Sequence, residues 1–340
     1  NIGNYMTDSY GVVSGWVFGN DGYMGTAITK RGNKKLTWET TSEFNIGLDL
    51  GFFDNRISLS MEYYNRIISD LLVSNKSLPA YNEINTIAAN IGKTQGRGFE
   101  LTLSTVNIMN KDWTWSTDFT FYTFKDNWYE RDPNWKPAAY ESKKDPIRSY
   151  YSYVSDGLLQ VGEKAPAWQP TLVPGQIKLK NLYDTGTSPN VLDQYDKVNL
   201  GSQDPKCTLG LNNTLRYKNL DFNIYFYGEI GRLRGASYYD AWIVGLGNSL
   251  TNVSQQSLHS YTNANQNTTV PNLIESAYDF GDYYHKKINY LRCRNITLGY
   301  TIPVSKSIAN SVRISANVSN PFVFTNWNGV DPETDTGNFS

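Results

Sequence analysis

The sequence is poor in the residues on which catalytic and metal sites usually depend. Of its 340 residues only 2 are Cys and 2 are His. Cys207 and Cys293 lie far apart in predicted strands, which excludes a disulfide framework and the ligand spacing of a zinc site. His259 and His285 fall in one predicted loop without further ligands, and the motifs GRG and GLG lack the third glycine of a dinucleotide-binding loop. We therefore predict that the chain is not an enzyme and has no cofactor.

Long hydrophobic runs and an excess of positive charge are also missing. No run approaches the roughly 20 apolar residues that a membrane-spanning helix needs. The net charge of -1 argues against a nucleic-acid partner, which normally requires a basic surface. No secretory leader is visible and the sequence stops in a polar stretch, so we expect a fragment of a longer protein. Aromatic residues, in contrast, make up 14% of the chain, and Tyr and Trp favour surfaces with one wet and one apolar side.

Apolar and polar residues alternate in the segment 42–65, SEFNIGLDLGFFDNRISLSMEYYN. A period of two predicts strands with one apolar and one polar face, here two strands joined by a turn at Asp54-Asn55. The same pattern predicts three further hairpins over 99–124, 209–230 and 296–318. The chain therefore contains four predicted β-hairpins.

The connections between these hairpins differ in length in a regular way. Within each hairpin the turn is short, whereas Ser69–Gln95, Lys125–Lys206 and Gly231–Ile288 are predicted to be loops longer than the usual limit of about 12–15 residues. All long loops then lie at one end of the sheet. This asymmetry predicts an antiparallel transmembrane β-barrel with short periplasmic turns and long extracellular loops, its apolar face against outer-membrane lipid. A soluble β-sandwich or solenoid remains the alternative, because alternation fits both.

Several of these segments resemble one known family. In family order they are LTWETTSEFNIGLDLGFFDNRISLSMEYYN (36–65), GSQDPKCTLGLNNTLRYKNLDFNIYFYGEIG (201–231), YLRCRNITLGYTIP (290–303) and VRISANVSNPFVFTNWNGVDPET (312–334). They resemble the barrel of SusC/RagA-type TonB-dependent outer-membrane transporters of Bacteroidetes. The resemblance implies a barrel of about 22 strands, of which residues 1–340 form a C-terminal part. The plug domain, the TonB-contacting segment and the last strand are expected outside this sequence.

The resemblance also implies a function and partners. Members of the family import oligosaccharides or peptides through the outer membrane, energised by a TonB–ExbB–ExbD complex. A SusD-like surface lipoprotein acts as a lid over the extracellular loops. Two alternatives stay open: a passive porin or adhesin barrel, and a soluble glycan-binding β-protein.

Aromatic side chains in the long loops are candidates for ligand contact, because their faces stack on sugars or on peptide side chains. The candidates are Trp128, Trp135, Tyr150, Tyr151, Tyr153, Trp168, Tyr238, Tyr239 and Trp242. The alternative is that these residues pack the loops onto each other. The sequence does not separate the two roles.

Charged residues on the polar strand face are predicted to point into the barrel lumen. They are Glu43, Asp49, Glu62, Glu100, Asp118, Asp221, Arg292, Arg294 and Arg313. On a soluble β-protein the same residues would be solvated.

One loop departs from the family pattern. Family members often carry an acidic, calcium-like motif where this chain has NLYDTGTSPNVLDQYDK (181–197). Only Asp184, Asp193 and Asp196 are left as candidate ligands, whereas calcium takes 6–8 oxygens. We therefore predict that this loop binds no metal.

Overall fold

The computed structural model describes residues 2–18, 21–78, 86–134, 136–183, 190–235, 255–272, 280–304, 311–327 and 331–333. Antiparallel strands dominate these residues, with one helical turn, α1 (Gly3–Met6), and two 3₁₀ turns, Gln194–Asp196 and Gln255–His259. None of the described helices is both long and apolar enough to cross a membrane.

Sixteen strands follow one another along the described chain. They are β1 (Ser9–Phe18), β2 (Asp21–Lys30), β3 (Thr40–Phe52), β4 (Ile57–Ser69), β5 (Leu72–Ser77), β6 (Thr86–Asn90), β7 (Lys93–Met109), β8 (Trp113–Glu130), β9 (Ser149–Ser152), β10 (Ser155–Leu158), β11 (Ile177–Leu179), β12 (Val198–Ser202), β13 (Cys207–Tyr217), β14 (Leu220–Gly235), β15 (His285–Ile302) and β16 (Val312–Thr325).

The eight longest hairpin strands form one sheet in the order β16-β15-β14-β13-β8-β7-β4-β3. Leaving out the small two-stranded sheets, this order follows the chain, so each strand lies beside its neighbours in sequence. The sheet contains all four predicted hairpins, with Leu215 opposite Phe222 and Tyr217 opposite Leu220 in one of them. The predicted hairpins are therefore confirmed.

The boundaries of all three predicted long loops are wrong. Ser69–Gln95 contains the β5–β6 hairpin, while β8 runs on to Glu130, β14 to Gly235, and β15 begins at His285. Alternation hides the end of β14 and the start of β15 because irregularities in register lie between Ile230 and Arg232 and between Cys293 and Asn295. An extra residue at a β-bulge shifts the side-chain parity, so strict alternation stops before the strand does.

The apolar residues of adjacent strands line up in rows across the sheet. One row runs Trp115, Leu215, Phe222, Leu298 and Ala316, from β8 to β16. Leu298 keeps 49% of its surface exposed. Among the described residues, the buried hydrophobic cluster lies in the loops and not against this face. The apolar face is thus uncovered, as a surface that meets lipid requires.

The chain divides into two compact units. The first comprises Asn1–Ile46, Tyr64–Arg97 and Asp126–Lys136. Within it the Asn90 side chain joins two segments, because its amide accepts from Thr37 N (2.9 Å) and donates to the carbonyls of Thr37 (2.9 Å) and Asp70 (2.7 Å). The β1–β2 hairpin belongs to this unit and was not predicted from the sequence.

The second unit comprises Gly47–Tyr63, Gly98–Lys125 and Pro137–Ser340. It holds β13–β16 and a body of loop residues between β8 and β15, which we call the loop body (137–183, 190–206, 255–272 and 280–284). The hydrophobic core of the loop body consists of Leu158, Ile177, Leu179 and Tyr261.

Candidate functional site

Hydroxyl and amide side chains cover the polar face of the sheet in the second unit. Ser104 donates to Asp118 (2.8 Å), and the Asn223 amide donates to Asn212 (2.8 Å) and Thr214 (3.0 Å). A second group on β15 and β16 continues the pattern, since Asn317 donates to the side chains of Asn295 and Thr297. A face of this kind suits a water-filled or protein-filled lumen and would be unstable against hydrocarbon.

Arg313 and Asp221 form an ion pair across β15. The guanidinium donates twice to the carboxylate, at 3.1 and 2.5 Å, although one full strand separates the two residues. Gly299 of β15 is the register partner of Asp221, and a Cβ there would collide with both charged groups. The missing side chain at Gly299 is therefore what allows the pair to form.

Arg292 and Arg294 hold a short segment against the polar face of β15. Arg292 pairs with Asp331 (2.6 Å) and Glu333 (2.8 Å), and Arg294 pairs with Glu333 (2.9 Å). Arg234 adds a hydrogen bond to the Pro332 carbonyl. Two predicted lumen arginines thus have carboxylate partners that sequence reasoning did not identify.

The other predicted lumen residues lie on β3, β4, β7 and β8. Glu43, Asp49 and Glu100 are exposed, while Glu62 and Asp118 are half-buried. Asp49 lines a depression of about 290 Å³ with hydroxyls from Ser58, Ser60 and Thr102. Lumen exposure of the whole set stays a prediction.

The loop body is built around Tyr261. Its ring is buried in the core, its hydroxyl accepts from Val161 N (3.0 Å), and its backbone N–H donates to Val270 (2.9 Å). Gly175, with φ +89°, lies so close that a Cβ would collide with the Tyr261 ring. The contacts with Val161 and Gly175 join segments that lie far apart in the chain.

Four predicted ligand-binding aromatics belong to the loop body. The Trp168 indole donates to the Leu179 carbonyl (2.8 Å), and the Tyr150 ring stacks on His285 at 4.4 Å. Tyr151 donates to Asp145 (2.7 Å), and burial together with this carboxylate raises the pKa of Tyr151. Tyr153 lies beneath the Lys197 ammonium at 5.1 Å. All four contribute to loop packing, and ligand contact stays a prediction.

The remaining aromatic candidates lie elsewhere. Trp128, in the first unit, has Arg131 over its ring at 5.3 Å. The other four, Trp135, Tyr238, Tyr239 and Trp242, lie outside the described residues. Tyr140, which the sequence did not single out, packs on Tyr151 at 5.1 Å.

Backbone N–H groups bind the Asp196 carboxylate in the way that a metal ion would in a calcium loop. One carboxylate oxygen accepts from Leu182 N (2.6 Å) and Tyr183 N (3.1 Å), and the other accepts from Asp193 N (2.9 Å). The residue is fully buried. Asp193 caps the following 3₁₀ turn, and Asp184 lies outside the described residues. In the part of this loop that the structure describes, the carboxylates of Asp193 and Asp196 bind backbone amides and do not form the cage of oxygen ligands that calcium needs.

Among the residues that the structure describes, no three His, Cys, Asp or Glu side chains come together as a metal site.

An ion pair occurs elsewhere in the loop body, where Lys178 contacts Glu163 at 2.5 Å. The hydrogen bond from Lys178, helped by one from Gln160 N, lowers the pKa of Glu163.

Comparison with known proteins relates this architecture to one family. Residues 3–320 match the family described as TonB dependent receptor-like, beta-barrel. TonB-dependent receptor P3 of Formosa agariphila is 29% identical over 339 residues, covering 95% of this chain and 33% of that protein. TonB-dependent receptor SusC of Bacteroides thetaiotaomicron is 28% identical over 330 residues, covering 93% and 32%.

Solved structures agree on the fold. The RagAB peptide importer in its open-open state superposes with a TM-score of 0.75 at 21% identity, covering 97% of this chain and 36% of that one. Another structure of the RagAB peptide transporter gives 0.72 at 23% identity. The chain spans about a third of the length of the curated relatives it matches.

Proposed function

The chain belongs to the TonB-dependent receptor-like β-barrel family, and we propose that it forms part of the barrel of an outer-membrane active importer. Its fold class, an antiparallel transmembrane β-barrel of the outer membrane, follows from this membership. Residues 1–340 are proposed to belong to one barrel domain whose plug lies elsewhere in a longer protein. The cargo is an oligosaccharide or a peptide, and TonB with ExbB and ExbD supplies the energy.

The observation that supports this proposal best is the contrast between the two faces of one continuous sheet. The apolar rows are uncovered, while the opposite face carries hydrogen-bonded amides, hydroxyls and ion pairs. A barrel wall between lipid and a polar lumen requires this contrast. A soluble β-protein would bury its apolar rows against a second layer.

A SusD-like lipoprotein lid is proposed as the partner of the loop body. The loop body is ordered by its own core and presents exposed apolar groups, among them Leu258 with 83% of its surface exposed. Such a surface beside the barrel mouth fits a protein partner that closes over bound cargo. The RagAB peptide transporter supports a peptide as cargo, and an oligosaccharide stays in the proposal because loop aromatics can stack on sugars.

Import is tested in cells that carry the full-length protein, by following labelled oligosaccharides and peptides into the periplasm. We expect at least one class to enter, and its entry to stop both in a TonB-deficient strain and after an uncoupler. Entry that persists without TonB would indicate a passive porin. A protein extracted without detergent would indicate a soluble β-protein.

The lid is tested separately by pull-down of the tagged full-length protein. Replacing residues 255–272 by a short Gly-Ser linker removes Tyr261 from the loop core and should abolish co-purification of a surface lipoprotein. The heat-modifiable band of the folded barrel should persist, because none of the eight sheet strands is cut. Unchanged co-purification would refute the loop body as the lid contact.

A further inference from the structure

A depression with a volume of about 300 Å³ lies beside the turn between β3 and β4. Its lining residues are Phe53, Arg56, Ile57, Thr105, Val106 and Asn107. Short turns of outer-membrane barrels lie on the periplasmic side. The depression is therefore at the depth of the head groups of the inner leaflet.

Arg56 carries an uncompensated charge at this depression. Its Nε and Nη2 donate to the Val106 carbonyl at 3.3 and 3.1 Å, and Nη2 also donates to the Asn107 carbonyl at 3.1 Å. Both acceptors are neutral, and no carboxylate among the described residues pairs with the guanidinium. The Nη1 donors have no partner within the described chain.

Further hydrogen bonds fix the backbone and the side chains around the guanidinium. The Val106 N–H donates to the Arg56 carbonyl (2.7 Å), which fixes the backbone of the turn to β7. The Asn107 side chain is fixed by Thr105 (2.9 Å) and by Thr117 (2.8 Å). A cation that is already ordered loses little conformational entropy when it binds an anion.

Apolar side chains stand next to this cation. Phe53 is 74% exposed, and Ile57 completes the apolar side of the depression. Aromatic residues at the ends of barrel strands lie at the lipid interface, where one side of the ring meets acyl chains. The Arg56 cation suits a phosphate group, and the apolar side chains of Phe53 and Ile57 suit the glycerol and acyl chains attached to it.

We propose that Arg56 binds the phosphate of an inner-leaflet phospholipid. The free Nη1 N–H groups donate to the phosphate oxygens, and the positive charge of the guanidinium attracts the phosphate, as is common for arginine. Phe53 and Ile57 contact the glycerol and the first methylenes of the lipid. The turn thereby anchors the periplasmic rim of the barrel to one lipid molecule.

The test uses the delipidated full-length protein in detergent, titrated with dioleoylphosphatidylglycerol and followed by native mass spectrometry. Arg56→Gln should weaken binding of the first lipid roughly fivefold, which corresponds to the ~1 kcal/mol of one basic side chain at an anionic surface. Phe53→Ser should weaken it too while leaving the charge in place. Lys111→Gln is the matched control, since Lys111 is an exposed cation in the next short turn and does not line the depression.

Three outcomes would overturn the proposal. Arg56→Gln could bind lipid as the wild type does, Lys111→Gln could lose as much binding, or equimolar inorganic phosphate could displace the lipid. The second outcome would mean unspecific attraction to anionic lipid, and the third would mean a site for free phosphate. Each variant is first checked for the heat-modifiable folded band, and Arg56→Lys replaces Arg56→Gln if the latter does not fold.

Discussion

At the scale of single residues, the ion pair between Arg313 and Asp221 can form only because Gly299 has no side chain. Gly299→Ala should separate Arg313 from Asp221, because a Cβ would collide with both charged groups. Both partners are partly exposed, so the loss should be small, seen as a slightly lower urea midpoint of the detergent-solubilised protein. Gly96→Ala is the control, since a Cβ at Gly96 meets nothing within 4 Å. Equal losses from the two substitutions would contradict this account.

Asp196 and Asp193 are neighbours that should respond differently to the same substitution. Asp196→Asn places an amide N–H opposite a backbone N–H, so it should cost about 1–3 kcal/mol and raise hydrogen exchange over 181–197. Asp193→Asn should be nearly neutral, because Asn caps a helical turn as well as Asp does. EDTA should change neither result. A rise in melting temperature with added calcium would show that the loop binds metal after all.

The candidate site shows where residue-level prediction fails. The polar residues of the strands are predictable because alternation is a local pattern. It marks the polar face of a strand and does not depend on the rest of the fold. The partners of Arg292 and Arg294 are not, since Asp331 and Glu333 lie about forty residues further on, in a segment without periodicity. The role of Tyr261 escapes prediction for the same reason. A buried loop tyrosine has no local sequence signal.

At the scale of the strand, adjacent residues of β15 should tolerate charge very differently. Ile296 belongs to an apolar row with Ile224 and Val318, whereas the Thr297 hydroxyl accepts from Asn317 on the polar face. Ile296→Arg should destabilise the inserted protein by about 2–4 kcal/mol, the cost of a charge on the lipid face. Thr297→Arg should cost less. Reversed urea midpoints for the two variants would show that the faces are assigned the wrong way round.

The Glu163–Lys178 pair makes one element of the loop body sensitive to acid. The lowered pKa of Glu163 means that its contribution is complete above the ordinary carboxyl pKa of about 4.3 and is lost as pH falls through the lowered value. Pepsin should therefore cut 159–178 more slowly in the wild type than in Glu163→Gln at pH 4.5. The two rates should converge as the pH falls through the lowered pKa of Glu163 and the carboxyl becomes protonated. A difference between the rates that does not shrink as the pH is lowered would contradict the role of the carboxylate.

Hairpins are predictable from sequence because a period of two is a local property. Their ends are not, because each β-bulge shifts the parity and hides the rest of the strand. In β14, for example, the register is irregular between Ile230 and Arg232, and the predicted strand ends there although β14 continues to Gly235. The β1–β2 hairpin escapes prediction because small and glycine residues interrupt its apolar pattern.

At the scale of the whole molecule, the open edges of the sheet limit what this chain can do alone. β3 and β16 stand at the two ends of the strand order and have no neighbour on their outer sides among the described residues. Unpaired backbone groups are not tolerated in hydrocarbon. The 340-residue chain, secreted by itself, should therefore aggregate in the periplasm and give no heat-modifiable band. Insertion of the isolated chain as a protease-resistant barrel would contradict this.

The loop core has a consequence for how the cell surface is recognised by antibodies. Tyr261 packs with Leu158 and Ile177, so the exterior of the loop body is a mosaic of segments distant in the chain. An antibody raised against intact cells would mostly bind a discontinuous epitope. Such a serum should stain living cells, fail on denaturing blots, and lose its target when a single loop is exchanged.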